Sequence, residues 1–147
     1  MRRITITVAV MAAVALGATG VASAGGSPAK LQLRKTNVGT ILVNSKGFTI
    51  YAFTKDSPNI DRCVKIKGCA SVWPMVTTTG KAIAGAGVKA SLIGTITPRR
   101  GVHQVTYAGH PLYTYIADSS PGQTTYVNSP QFGGRWPALN AAGREVK

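Results

Sequence analysis

One pattern of residues occurs twice in this chain, and the duplication constrains the fold more than any other feature of the sequence. Gly47 is matched by Gly109 at an offset of 62 residues. The other matched pairs are Tyr51 with Tyr113, Phe53 with Tyr115 and Asp56 with Asp118 at the same offset, and Trp73-Pro74 with Trp136-Pro137 at an offset of 63. An ordered series of uncommon residue types at a nearly constant offset is the signature of an internal repeat. The sequence therefore predicts two related structural units.

The two copies of the motif resemble a known family. They are Tyr51-Ala52-Phe53-Thr54-Lys55-Asp56 and Tyr113-Thr114-Tyr115-Ile116-Ala117-Asp118. This pattern is similar to the secreted-repeat, or predicted-lipoprotein, family described by a Tyr-x-aromatic-x-x-Asp motif. The two cysteines and the Trp-Pro of the family also look matched, by Cys63, Cys69 and Trp73-Pro74. The family has no established biochemical activity, so the resemblance implies an exported location and a repeat architecture rather than a reaction.

The chain departs from the family pattern at three points. Arg100 precedes Gly101, where the family often has an acidic residue. The cysteines of the family usually lie closer together than Cys63 and Cys69. Many members also carry a lipid-modified cysteine, whereas no cysteine lies near the N-terminus of this chain. We therefore expect an exported protein that is released or held non-covalently.

Residues 1–24 have the pattern of a secretory signal peptide. Arg2 and Arg3 form a charged start, residues 4–16 an apolar run, and residues 22–24 (Ala-Ser-Ala) a small-residue cleavage signal. The alternative is a membrane anchor, but the apolar run is shorter than the roughly 20 residues that a spanning helix needs. We expect cleavage after Ala24 and no transmembrane segment in the mature chain.

The protein is strongly basic, with 17 Lys and Arg against 4 Asp and Glu, and a formal charge of +13. Loss of Arg2 and Arg3 with the signal peptide lowers this charge to +11. The basic residues are scattered along the sequence. Coulomb attraction gives such an exported protein affinity for anionic envelope polymers. No nucleic-acid-binding motif is present, so we expect anionic envelope polymers as partners and no specific nucleic acid.

Strand patterns dominate the mature sequence and predict an all-β fold. Residues 38–43 are β-branched and apolar, residues 44–47 (Asn-Ser-Lys-Gly) are a turn signal, and residues 48–54 alternate, which together predict an antiparallel hairpin. The second copy repeats this design, with strands over residues 102–107 and 112–116. The sequence therefore predicts one β-hairpin in each repeat.

Alternation in the motif strand places Tyr51 and Phe53 on one face of the sheet, and Phe48, Ile50 and Ala52 on the other. Both faces are apolar. We therefore expect a sheet that is packed against its own duplicate rather than one that is open to water.

The predicted organisation follows from the repeat and from composition. Residues 25–36 are rich in small and basic residues without periodicity and predict a flexible leader. Repeat 1 is assigned to residues 37–90 and repeat 2 to residues 91–147. Neither repeat alone is long enough to bury a core comfortably. We therefore expect two tandem antiparallel β repeats that share one core and carry long loops.

Similar tripeptides suggest which strands begin the two repeats. Gly39-Thr40-Ile41 and Gly94-Thr95-Ile96 share this pattern. We interpret them as matching first strands, with extra residues around Arg99 and Arg100 lengthening the second hairpin.

Cys63 and Cys69 are the only cysteines of the chain, and both lie in a loop rich in turn residues. In an exported protein such a pair favours a disulfide. Closing so small a loop contributes about 2 kcal/mol on the chain-entropy model. The alternative is a redox-active or metal-binding dithiol, but the Cys-x-x-Cys spacing and a nearby histidine are both missing.

Aromatic residues are the next candidates for a site. Their hydrophobic area favours core packing, since a tyrosine or tryptophan in a core needs only one polar partner. The alternative is a pair of related ligand pockets in which rings stack on a sugar, base or planar cofactor. The residues concerned are Tyr51, Phe53, Trp73, Tyr107, Tyr113, Tyr115, Tyr126, Phe132 and Trp136.

Asp56 and Asp118 are half of the acids of the chain, and each lies five residues after a tyrosine. Each precedes a turn, where carboxylates usually accept backbone N–H groups, so we expect structural turn acceptors. Glycoside chemistry needs two carboxylates that face one cleft. One acid at the equivalent point of each repeat does not favour that arrangement.

His103 and His110 flank the second hairpin and have no counterparts in the first repeat. Close pairing of the strands would bring the rings together, but two ligands without a third make a poor metal site. No nucleophile with a base and no phosphate-binding glycine loop is recognisable. We expect no catalytic residue, no metal and no cofactor.

Three hypotheses about function remain. The first is a non-catalytic secreted protein of the cell envelope or extracellular space that associates with anionic surface polymers. The second is a small-ligand or cofactor-binding module that uses the duplicated aromatic residues. The third, an enzyme, ranks last because four acids and two unpaired histidines offer few ways to build an acid, a base and a nucleophile.

Overall fold

The structure of the protein is a computed structural model that describes residues 26–147. The signal peptide predicted for residues 1–24 lies outside the described residues. Within residues 26–147, no helix is long and apolar enough to cross a membrane. Strands and irregular segments make up most of this part of the chain.

The first sheet begins earlier than the sequence predicted. Strand β1 (Lys30–Thr36) pairs antiparallel with β2 (Gly39–Val43), in a register that places Thr36 opposite Gly39. The prediction of a flexible leader over residues 25–36 is therefore wrong for residues 30–36, which form this strand. Leu31 and Leu33 alternate with polar and basic residues, and Leu31 is completely buried. This alternation was hidden because the outward-facing positions carry so many cations.

The second sheet has the same design. Strand β4 (Ile93–Arg99) pairs antiparallel with β5 (Val102–Tyr107), which pairs with β6 (His110–Pro111). Strands β4 and β5 begin 63 residues after β1 and β2, so β4 is the counterpart of β1. The match between Gly39-Thr40-Ile41 and Gly94-Thr95-Ile96 is therefore wrong, because the first tripeptide lies in the second strand of its hairpin. A similarity of three small and β-branched residues was too short to fix the register.

The remaining elements are short. Strand β3 (Ile83–Ala84) pairs parallel with β1, and β7 (Ser129–Gln131) pairs antiparallel with β8 (Gly134–Trp136). The sheet orders are thus β2-β1-β3, β4-β5-β6 and β7-β8. In residues 26–147 the helical segments are one turn of α-helix, α1 (Cys69–Val72), and two 3₁₀ turns, Cys63–Lys65 and Ala90–Leu92.

Only the part of the predicted hairpin that is next to the turn at residues 44–47 forms. Gly47 N–H donates to the carbonyl of Asn44 (2.9 Å), and Val43 forms a bridge with Thr49. Beyond Ile50 the chain leaves its own repeat. Tyr51 instead pairs with Tyr113 of the other repeat, and each donates its N–H to the other's carbonyl, at 2.8 and 2.9 Å.

The segment after each Trp-Pro also pairs with the other repeat. Leu42 N–H donates to the carbonyl of Leu139 (2.9 Å), and the equivalent Val105 N–H donates to Val76 (2.8 Å). The bonds from Ala52 to Pro137 and from Thr114 to Pro74, both 2.9 Å, form another equivalent pair. The two repeats are therefore interlocked through their backbones. The prediction of an all-β protein built from two related repeats is confirmed.

Residues 50–53 of the motif are buried on both sides of the backbone, as the alternation predicted. Ile50 and Ala52 belong to one apolar cluster, with Leu31, Leu112 and other residues of both repeats. Tyr51 and Phe53 face a second, aromatic cluster. All four motif residues are at most 2% exposed.

Candidate functional site

Six aromatic side chains from the two repeats form what we call the aromatic core. Trp73 and Trp136 stack at its centre, with ring centroids 4.0 Å apart and an interplanar angle of 0°. Five of the six rings are no more than 2% exposed, and Tyr115 is partly buried. The members are Tyr51, Phe53, Trp73, Tyr113, Tyr115 and Trp136.

The contacts of the aromatic core are reciprocal between the repeats. Phe53 stacks on Trp136, and the equivalent Tyr115 stacks on Trp73, each with centroids 4.2 Å apart. Tyr51 meets the edge of Trp73, as Tyr113 meets Trp136, each at 5.1 Å. The faces of both indole rings are therefore covered by other rings. The indole N–H groups donate to the side chain and the carbonyl of Gln131, at 2.9 and 3.3 Å.

Both motif aspartates accept a hydrogen bond from a tyrosine of the opposite repeat. The hydroxyl of Tyr51 donates to Oδ2 of Asp118 (3.0 Å), and that of Tyr113 donates to Oδ2 of Asp56 (2.8 Å). The spacing from tyrosine to aspartate is the same in the two motifs, but each hydrogen bond joins the tyrosine of one motif to the aspartate of the other. Each tyrosine crosses to the carboxylate at the end of the other copy.

Burial changes the protonation of these groups. Desolvation raises the pKa of Asp56 and of Asp118 to about 6, although the tyrosine hydrogen bonds act in the opposite direction. Burial and the adjacent carboxylates raise the pKa of Tyr51 and Tyr113 above the ordinary tyrosine value. The two phenols therefore stay protonated at neutral pH and act as hydrogen-bond donors.

The turn-acceptor role predicted for the aspartates holds for one of them. Asp56 Oδ1 accepts the backbone N–H of Arg62 (2.7 Å). Asp118 accepts its hydrogen bond from the phenol of Tyr51 instead of from a backbone N–H. Its Oδ1 is buried and has no hydrogen-bond partner. In its turn, the amide oxygen of Gln123 accepts the backbone N–H of Ser119 (2.8 Å), so the glutamine replaces the expected carboxylate.

The disulfide between Cys63 and Cys69 is confirmed. Both residues are completely buried and pack against the aromatic core. Gly68 directly precedes α1 and has a φ of 79°, a conformation that glycine adopts at little cost, in the turn that brings Cys69 back to Cys63. The disulfide fixes the loop between the motif strand and Trp73.

The two histidines lie apart in the second sheet. His110 is opposite Tyr107 in the register of β5 and β6, four residues along the strand from His103. His103 is exposed, and its Nδ1 lies 3.4 Å from the hydroxyl of Thr97. Within residues 26–147, no group of three or more His, Cys, Asp or Glu is placed to hold a metal ion.

A cleft that we call the basic cleft lies beside the disulfide loop and was missed by the sequence analysis. It is lined by Lys55, Ser57, Arg62, Lys65 and Ile66. The guanidinium of Arg62 donates to Oγ of Ser57 from Nε (3.3 Å) and from Nη2 (2.9 Å). Cations that appear scattered in sequence are thus brought together by the turn that follows the motif.

A difference in charge between the two repeats is the sequence signal that points to this region. Residues 39–72 of the first repeat contain five Lys or Arg residues, whereas the equivalent residues 101–134 contain none. Because both repeats adopt the same fold with and without these cations, the fold does not require them. The basic cleft is therefore a candidate binding surface, whereas the aromatic core is the structural centre.

These features define a class of protein, an all-β protein of two interlocked repeats built on a shared aromatic core. The chain belongs to the family described as a secreted repeat of unknown function, whose model matches residues 32–77 and 94–140. Each match begins within the first strand of a hairpin, at Gln32 in β1 and at Gly94 in β4. No curated protein and no solved structure matches the chain.

Proposed function

We propose that this protein is a non-catalytic secreted protein that associates with anionic polymers of the cell envelope or extracellular surface. The observation that carries this proposal is the lack of internal charge compensation. Of the oppositely charged side chains in residues 26–147, only Arg135 and Glu145 lie within 4 Å of each other. The other basic side chains of this part of the chain therefore remain available to an external anion.

Few acidic side chains are placed at the surface where they could compete with an external anion for these cations. Asp61 is 5% exposed, and Asp56 and Asp118 each accept a hydrogen bond from a buried tyrosine. Basic side chains on a chain of high positive charge attract a polyanion over about a Debye length, which is ~8 Å at physiological ionic strength. Binding by this mechanism releases counterions, and its affinity therefore falls steeply as salt rises.

The test is a titration of the mature protein with anionic polymers and with cell-wall preparations at low and high salt. We expect binding at low salt and a linear fall of log affinity with log salt concentration. An uncharged polysaccharide of similar length is the matched control. Binding that is equal for the charged and uncharged polymers, or that does not respond to salt, would contradict the proposal.

A small-ligand or cofactor-binding module that uses the aromatic residues is the alternative. The stacked rings argue against it, because the faces of Trp73 and Trp136 that a planar ligand would contact are covered by protein. A thermal-shift screen separates the two proposals. One uncharged compound that strongly raises the melting temperature at high salt would favour the ligand-binding module.

A further inference from the structure

We propose that the basic cleft is an oxyanion site that holds phosphate groups of the anionic polymer. Its binding groups are the side chains of Lys55, Ser57, Arg62 and Lys65. This inference rests on the proposed function and names the place and the chemistry of attachment. Charge spread over a surface attracts any polyanion, whereas a defined site prefers one kind of anionic group.

Positive charge in the cleft is not neutralised by the nearest carboxylates. Asp56 directs its two oxygens to the backbone N–H of Arg62 and to the hydroxyl of Tyr113. Asp61 is almost completely buried, and its Oδ1 accepts the backbone N–H of Val64 (2.8 Å). Neither carboxylate forms an ion pair with a cation of the cleft. An external anion therefore does not have to displace an internal one.

Hydrogen-bond donors, rather than acceptors, face the cleft. The Oγ of Ser57 accepts two hydrogen bonds from Arg62, which occupy both of its lone pairs and leave its proton to donate outward. The guanidinium retains further N–H groups, and each lysine contributes an ammonium. A site whose polar side chains offer mainly donors and positive charge suits an oxyanion and does not suit a metal ion.

Local structure fixes Arg62 before a ligand arrives. The Arg62 backbone is fixed by Asp56, and the next residue, Cys63, is in the disulfide. Lys55 lies along the turn between β7 and β8, where a Cβ added at Gly133 would be 3.1 Å from its Nζ. Groups that are already ordered lose less conformational entropy on binding, which favours affinity.

The geometry favours phosphate over carboxylate. A guanidinium presents paired N–H groups that match two oxygens of either anion. The two non-bridging oxygens of a phosphodiester lie on a tetrahedral phosphorus, so their acceptor positions also spread out of the guanidinium plane, toward the Ser57 hydroxyl and the flanking ammonium groups. The acceptor positions of a carboxylate lie close to one plane, which matches the guanidinium but points less well toward donors outside that plane.

The second repeat shows that the fold does not require these side chains. At the offset of 62, Lys55, Arg62 and Lys65 are replaced by Ala117, Thr124 and Val127, and the serine is kept as Ser119. The site is therefore single, and its cations can be exchanged for neutral residues without a demand from the core.

The first experiment compares two triple variants that lose the same charge. The site variant is Lys55→Gln, Arg62→Gln and Lys65→Gln. The control variant carries Lys35→Gln, Lys89→Gln and Arg100→Gln at exposed positions away from the cleft. Each mature protein is titrated with a poly(glycerol phosphate), with polyglutamate of equal charge, and with the phosphate polymer in the presence of inorganic phosphate.

We expect the site variant to lose about tenfold or more in affinity for the phosphate polymer, and the control variant to lose clearly less. Inorganic phosphate should compete at the site, and polyglutamate should bind the unchanged protein more weakly than the phosphate polymer. Equal losses in the two variants, or equal binding of both polymers, would overturn the site and leave the proposed function standing. No binding of any polyanion by the unchanged protein would overturn both.

A single substitution tests the guanidinium without changing the net charge. Arg62→Lys keeps the positive charge but removes the paired N–H groups, and with them the two hydrogen bonds to Ser57. We expect a loss of about threefold to tenfold for the phosphate polymer and little change for polyglutamate. Near-ultraviolet circular dichroism of the aromatic core checks that the variant is folded. A folded variant with unchanged phosphate affinity would show that the oxyanion geometry is wrong.

Discussion

Trp73 and Trp136 lie with their indole rings parallel and 4.0 Å apart, so that the centre of the protein is a contact between equivalent residues of the two repeats. Neither tryptophan has this partner within its own repeat. The backbone has the same property, because Tyr51 and Tyr113 pair with each other. The duplication thus produced one core with two contributors rather than two cores side by side.

The first prediction concerns the separated repeats. We expect that residues 25–87 and residues 90–147, expressed alone, do not melt cooperatively. Each half lacks the partner ring for its tryptophan and the carbonyls that bind Leu42 or Val105. Circular dichroism during heating measures this, with an equimolar mixture of the halves as the control in which a cooperative transition should return. A cooperative transition in either half alone would contradict the shared core.

The sequence predicted the duplication, the alternation of the motif strand and the disulfide, because each leaves a local or periodic signal. It did not predict that the chain crosses to the other repeat after Ile50. Backbone pairing between equivalent segments carries no signature of whether the partner is the same repeat or the other one. The hairpin was therefore assigned within each copy, although Ala52 pairs with Pro137.

The second prediction concerns the tyrosine and aspartate pairs. Asp118→Ala leaves the buried hydroxyl of Tyr51 without its acceptor, and we expect the free energy of unfolding to fall by about 1–3 kcal/mol. Asp118→Asn keeps an acceptor oxygen and should cost clearly less. Urea unfolding measures both.

A double-variant cycle identifies the cause. Because Tyr51→Phe removes the unsatisfied donor, Tyr51→Phe combined with Asp118→Ala should be less destabilised than the sum of the single variants. Additive losses, or equal losses for Asp118→Ala and Asp118→Asn, would show that the hydrogen bond does not account for the effect.

The third prediction is the pH dependence of stability. Burial raises the pKa of Asp56 and Asp118 to about 6, against an ordinary value of 3.8 for an aspartate. Between these values the folded protein holds more protons than the unfolded chain, so the free energy of unfolding falls as pH rises. We expect the stability from this source to be highest below about pH 4, to decline between about pH 4 and 6, and to show no further decline from these groups above that range.

Urea unfolding at several pH values between 4 and 7 measures this slope. The double variant Asp56→Asn and Asp118→Asn is the control, because asparagine does not titrate and the slope should disappear. A slope of the opposite sign would mean that the tyrosine hydrogen bonds outweigh desolvation. A slope that persists in the variant would assign it to other groups.

The basic cleft shows where reading the sequence in order falls short. Lys55, Arg62 and Lys65 are separated by six and by two residues and form no run. They converge because the chain turns after Asp56 and because the disulfide loop follows immediately. A turn that is fixed by a distant tyrosine is a tertiary feature, and only the comparison of charge between the repeats points to it from sequence.

The last prediction concerns the disulfide. Replacing Cys63 and Cys69 by alanine opens a small loop, and we expect a loss of about 2 kcal/mol in the free energy of unfolding on the chain-entropy model. The fold should survive, because the stacked tryptophans and the backbone pairs between repeats remain. Arg62 and Lys65 lie at this loop, so looser ends should also weaken binding of a phosphate polymer.

Thermal unfolding and polymer titration of the double alanine variant measure the two effects, and the unchanged protein treated with a reductant provides an independent comparison. The control variant Lys35→Gln, Lys89→Gln and Arg100→Gln separates loss of order from loss of charge, because it keeps the disulfide and lowers only the charge. Retained phosphate affinity in a folded, disulfide-free protein would show that the loop does not need to be fixed for the cleft to bind. Failure of that protein to fold would show that the disulfide supports the aromatic core itself, beyond the loop that it closes.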